Sequence, residues 1–95
     1  MSVARMRSLT FSTKEKADNF EKVFAKIGPT YLPSAQSNIS IRTDKFTCVV
    51  VTVYPDEQAA EAGLEGVAEW RDHHPEILES AEDNFYLEGV VTNFM

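Results

Sequence analysis

Two apolar periods alternate along the chain, and their succession predicts its elements. Val3 to Phe11 (VARMRSLTF) has strand character and ends at a polar break. Ser12-Thr13-Lys14-Glu15 follows as a capping-box pattern, with Ser12 placed to cap and Glu15 to reach back. Behind it Ala17, Phe20, Val23, Phe24 and Ile27 recur at helical spacing, while Lys14, Asp18, Lys22 and Lys26 share the outer face at i,i+4. Gly28-Pro29 is expected to stop this helix, with Gly28 as a left-handed cap. Thr30 to Pro33 then forms a connector that docks Tyr31 and Leu32 on the core.

The next stretch predicts a hairpin. Ile39 and Ile41 alternate with Asn38, Ser40 and Arg42, Thr43-Asp44-Lys45 turns, and Phe46 to Tyr54 (FTCVVVTVY) returns. Pro55-Asp56 ends that strand and opens a second helix, with Asp56 or Glu57 favourable at its positive end. The helix ends near His73, because His74 precedes Pro75 and is biased away from helical geometry. Pro75 to Glu79 suits one further turn, and Asn84 to Phe94 predicts a last strand.

The resulting order, β-α-β-β-α-β, implies an α+β ferredoxin-like sandwich over residues 1–95 as one domain: a four-stranded antiparallel sheet with two helices on one face. In such a sandwich the free sheet face meets water, so strands should alternate apolar and polar. The pairs Arg5/Arg7 and Asn38/Ser40/Arg42 suggest that polar face. The third strand departs from it, with Phe46, Cys48, Val50, Thr52 and Tyr54 on one side and Thr47, Val49, Val51 and Val53 on the other. The last strand does the same, with Phe85, Leu87 and Val91 against Tyr86, Val90 and Phe94. Covering about 300–400 Å² of apolar area is worth about 8–10 kcal/mol before association costs. A symmetric homodimer with facing sheets is therefore expected, its interface at Val49, Val51 and Val53.

Charge and cysteine content narrow the partners. Nine basic against fifteen acidic residues in 95 give a net charge of −6, which opposes nucleic acid and anionic membrane surfaces. The lone Cys48 excludes an internal disulfide, an iron–sulfur cluster or a zinc knuckle. No apolar run is long enough to span a membrane, and no apolar stretch follows Arg5 and Arg7 as a signal peptide requires. A cytoplasmic protein without nucleic-acid or membrane partners is expected. Phe11-Ser12-Thr13-Lys14 lacks the glycine of a phosphate nest, and Gly63 and Gly66 have no strand before them, so no nucleotide loop is read.

The opening MSVARMRSLTFSTKEKADNFEKVF, the hairpin ending CVVVTVYPDEQAAEA and the closing strand together resemble the dimeric α+β-barrel superfamily, which includes antibiotic-biosynthesis-monooxygenase-like and stress-responsive barrel proteins. The resemblance lies in topology and element pattern. It implies that two sheets pair into a barrel, often with exchange of the C-terminal strand, and that each subunit holds a small-molecule pocket between sheet and helices. Members that work as cofactor-free monooxygenases or degrade haem place a Trp or His early in the second helix and often an Asn on the first strand. Tyr54-Pro55-Asp56 matches the turn that precedes that helix. Here the early-helix position falls near Ala62 and the first strand offers Arg5, Met6 and Arg7, a departure that counts against haem chemistry. No cofactor is expected.

The second helix carries the candidate chemistry. At about 100° per residue, Ala60, Leu64, Val67 and Ala68 define its buried stripe, Arg71 projects near the middle of that stripe, and Trp70 and His74 flank it. An indole wall, a cation and a titratable imidazole suit a pocket for a small apolar or phenolic molecule. In an oxygenase version His74 is the base, Arg71 holds the resulting anion, Trp70 is the wall, and Tyr31, Tyr54 and Tyr86 line the site. The competing reading has Trp70 capping the core edge, Arg71 extending to the rim and His74 at the surface of a non-catalytic dimeric module. Glu69 and His73 share a helix face, but no third ligand has matching spacing, so no metal site is expected.

Overall fold

The computed structural model describes residues 1–78 and 81–93. Strand β1 (Val3–Thr10) leads into helix α1 (Lys14–Tyr31), the hairpin of β2 (Ser37–Arg42) and β3 (Thr47–Tyr54), and helix α2 (Glu57–His73). A single turn, α3 (Pro75–Leu78), precedes β4 (Glu82–Val90). The sheet order is β2-β3-β1-β4, and all three pairings are antiparallel. This is the ferredoxin-like arrangement, in which each helix crosses over an intervening strand. Phe94 and Glu79, which close the expected last strand and short turn, lie outside the described residues.

The core lies between the helices and one sheet face. Leu9, Phe11, Phe20, Phe24, Leu32, Cys48, Trp70 and Ile77 form one buried cluster, and Val3, Tyr54 and Ala60 a smaller one beside it. Four rings interlock within the larger cluster: Phe20 stacks on Phe24 at 5.4 Å, Trp70 tilts against both at 5.8 and 5.3 Å, and Phe11 tilts against Phe20 at 5.1 Å.

Three local features differ from the sequence expectation. Thr13 rather than Ser12 caps α1, its hydroxyl accepting from the Lys16 N–H at 3.1 Å. The helix does not stop at Gly28-Pro29 but runs through Pro29 to Tyr31, where the Leu32 N–H closes the last turn on the Gly28 carbonyl at 2.8 Å. Pro29 and Ala25 both lie on the exposed side, where water can take up the Ala25 carbonyl left without its usual donor. Burial of Leu32 draws the chain on, and Gly28 keeps an ordinary negative φ.

The third difference concerns which sheet face is which. The row Val3, Arg5, Arg7, Leu9 faces the helices, and so do Asn38, Ser40 and Arg42. Arg5, Arg7 and Arg42, expected to meet water, are therefore partly covered by the helix layer, while Asn38 and Ser40 on the edge strand stay exposed. Arg42 is held there by α1 carboxylates, at 2.9 Å from Asp18 and 2.7 Å from Glu21. The opposite face carries two rungs that cross all four strands: Ile39-Val51-Met6-Leu87 and Ile41-Val49-Ser8-Phe85. Ile39, Ile41, Phe85 and Leu87 are all exposed, Leu87 at 61%.

Candidate functional site

Helix α2 starts where the sequence places it: the Asp56 carboxylate accepts from the Ala59 N–H at 2.8 Å. Its buried stripe is rotated from the expected one. Ala60, Gly63, Gly66 and Trp70 are buried, whereas Leu64 and Ala68 are exposed and Val67 is half-buried. The glycines cause the rotation, because each receives a partner atom in place of a side chain. A Cβ at Gly63 would collide with the Tyr54 phenol, and one at Gly66 with the Tyr31 carbonyl. Arg71 consequently leaves the centre of the stripe, and Trp70 takes it.

A cleft opens between α2 and the inner sheet face. Phe20, Phe24, Val67 and Trp70 form its apolar wall, and Leu64 stands at its edge. The sheet supplies Arg5, Arg7, Val50, Thr52, Tyr54 and Tyr86. Its volume is about 70 Å³. Thr52 is settled by a 3.1 Å hydrogen bond to Asn38, while the buried Trp70 Nε1 has no hydrogen-bond partner among the described residues.

The two strand arginines have different surroundings. Arg5 donates to the Ala60 carbonyl and, through Nε, to Glu88 at 2.9 Å, with its guanidinium 5.8 Å from the Tyr54 ring centre. Its hydrogen bond holds the Glu88 carboxyl below the usual carboxylate range, and the Tyr86 hydroxyl donates to the same oxygen at 3.2 Å. Arg7 lies 5.2 Å from the centre of the Tyr86 ring, and its nearest carboxylate, on Asp83, is 3.6 Å away. Burial pushes both Tyr54 and Tyr86 above the ordinary phenol value.

Of the residues singled out from the sequence, Trp70, Tyr54 and Tyr86 meet around this cleft, and Arg71, His74 and Tyr31 lie outside its lining. Arg71 borders a neighbouring hollow of about 280 Å³ that shares Leu9 and Leu78 with the cleft, and its guanidinium is 3.8 Å from Asp83. His74 caps the end of α2, with Nδ1 3.8 Å from Glu76, and Tyr31 bonds to His73 at 2.9 Å. Val49 and Val51 lie half-buried on the outward face, while Val53 is buried within the single chain. Arg5 and Arg7 were the residues missed. Their shared parity with Val3, Leu9 and Phe11 was the available signal, since a strand row that begins and ends apolar turns inward. Among the described residues no group of His, Cys, Asp and Glu is placed to hold a metal ion, and no helix is long and apolar enough to cross a membrane.

No protein-family model and no curated protein matches the chain. Solved structures do. A dimeric ferredoxin-like protein from an uncultured marine organism superposes with a TM-score of 0.76 at 11% identity, covering 100% of this chain and 98% of the other. SnoaB, a cofactor-independent oxygenase from Streptomyces nogalater, gives 0.74 at 15% identity over 99% and 96%. A putative antibiotic biosynthesis monooxygenase from Chloroflexus aurantiacus gives 0.78 at 12% identity over 100% and 97%. The chain has the fold of these dimeric ferredoxin-like and monooxygenase-like proteins.

Proposed function

We propose that this chain works as a homodimer, joined through the outward face of its sheet, and binds a small apolar or phenolic molecule between sheet and α2. The observation that carries the ligand reading is the pairing of an aromatic wall with a floor bearing two guanidiniums, on the buried side of an acidic protein. Pockets of this make-up fix orientation through a few polar groups set in apolar surroundings. The exposed Ile39, Ile41, Phe85 and Leu87 on this face support the dimer, because monomers rarely leave a cluster of large apolar side chains to water. The dimeric description of a structural neighbour supports it too.

The enzymatic form of this reading is cofactor-independent oxygenation, the description SnoaB carries. His74, the base expected from the sequence, lies outside the cleft, so a bound phenol gives its proton to solvent water and Arg7 stabilises the phenolate. The ring carbon then adds dioxygen, the proton returns to give a hydroperoxide, and loss of water leaves a quinone, with the substrate itself as the reductant. Arg7 takes the anion-holding place expected of Arg71, Arg5 beside it is held by Glu88 and the Ala60 carbonyl, and Trp70, Tyr54 and Tyr86 remain the lining. At about 70 Å³ the resting cleft is smaller than the roughly 150 Å³ that admits benzene, so a ring enters as Leu64 swings outward. That same small volume favours the second reading, a dimeric module that holds no ligand.

One titration separates the two. Trp70 is the sole tryptophan, so its emission reports on the cleft alone. Phenols, naphthols and quinols are added to the protein and to Leu64→Ala while dioxygen uptake is followed. Saturable emission changes, stronger in Leu64→Ala, are expected. Flat curves for both proteins across the panel would leave the ligand-free module.

A further inference from the structure

We infer that Arg7 is the recognition residue of this cleft and that its ligand is a planar aromatic anion, a carboxylate or phenolate; the inference rests on the ligand-binding reading above and names the ligand's chemistry. The argument starts from how differently the two arginines are occupied. Arg5 is 11% exposed and is hydrogen-bonded to both the Ala60 carbonyl and Glu88, so its role is to tie β1 to α2 and β4. Arg7 is 27% exposed, and among the described residues no acceptor lies within hydrogen-bond distance of its guanidinium. Asp83, at 3.6 Å from Arg7, is shared with Arg71 at 3.8 Å. Three guanidiniums, on Arg5, Arg7 and Arg71, thus meet two carboxylates, on Glu88 and Asp83, in a protein whose net charge is −6.

A largely covered guanidinium with unfilled donors interacts more strongly with an incoming anion than a surface cation does, because water screens it less. Its planar fork matches a carboxylate edge-on with two parallel hydrogen bonds. The Tyr86 ring beside Arg7, with Phe20, Phe24 and Trp70 also in the lining, gives the cleft an aromatic surface that suits an aromatic body. Charge at one end and apolar surface around the rest therefore select an aromatic anion over its neutral isostere.

Benzoate and benzamide have nearly the same shape and differ in charge, which makes them the probes. Each is titrated into isotopically labelled protein while the single indole N–H resonance of Trp70 is followed. Benzoate is expected to bind about tenfold more tightly than benzamide, the scale of one charge-assisted hydrogen bond. Arg7→Gln should erase that preference by weakening benzoate alone, and Arg7→Lys should restore part of it. Circular dichroism melts establish that both variants fold. Equal binding of the two probes to the unaltered protein, or an undiminished preference in a folded Arg7→Gln, overturns the assignment of Arg7 while leaving a ligand site in place. Absence of any resonance shift with either probe overturns the ligand reading itself.

Discussion

Single atoms decide the shape of the cleft wall. Gly63 exists because the Tyr54 phenol occupies the place of its Cβ. Alanine there would gain about 1 kcal/mol in helix propensity, yet the collision should outweigh it. We expect Gly63→Ala to lose about 1–3 kcal/mol in urea denaturation, the usual cost of overpacking, and Tyr54→Leu to recover much of that loss in the double variant. Cys48 offers a second reading of the interior. It is fully buried, its Sγ lies 3.6 Å from Glu21, and burial pushes its thiol up to about 11. Labelling by a disulfide reagent at pH 8 should therefore be negligible in the native protein and should rise with the unfolded population as urea is added. Fast labelling without denaturant would contradict the packing of Cys48 against α1.

Elements are joined by arginines as much as by apolar area. Arg42, on the edge strand β2, bridges to Asp18 and Glu21 of α1 and also donates to the Asp44 and Lys45 carbonyls, so one side chain ties hairpin to helix. Asp18 is lowered from its ordinary value of 3.8, first by its bond to Lys14 and then by that to Arg42; Glu88 is lowered from 4.5 chiefly by Arg5. A carboxyl with a lower value in the fold adds stability above its ordinary value and loses it as pH falls through the folded one. The urea midpoint should accordingly be level near neutrality and drop below about pH 4.5, with a shallower acid limb in Arg42→Gln, which is also less stable at pH 7. The hairpin, the Asp56 cap and the order of strands and helices were legible in the sequence because turn residues, caps and periodicity act over a few neighbours. The direction of the Arg5/Arg7 row was harder to read, since alternation defines two faces and only the apolar ends of the row, Val3, Leu9 and Phe11, say which one turns inward. The rotation of α2 was hidden for a related reason: an apolar stripe counts Leu64 and passes over Gly63 and Gly66, whose burial depends on tyrosines from elsewhere in the chain.

At the scale of the molecule, the sheet buries Val3, Leu9, Cys48 and Tyr54 against its own helices and still leaves large apolar side chains on its other face. The register aligns Ile39, Val51, Met6 and Leu87 into one outward rung, so a charge at its centre faces whatever covers it. Sedimentation at micromolar concentration should show a dimer, and Val51→Glu should yield a folded monomer with an unchanged circular dichroism spectrum. A single-chain species in the unaltered protein would count against assembly through this face. The outward rungs carry one more consequence. If the native form is a pair and the denatured form a single chain, mass action makes the melting temperature a function of how much protein is in the tube. Dilution alone should then lower the midpoint, with no mutation, denaturant or change of pH, and Val51→Glu should melt at the same temperature at every concentration.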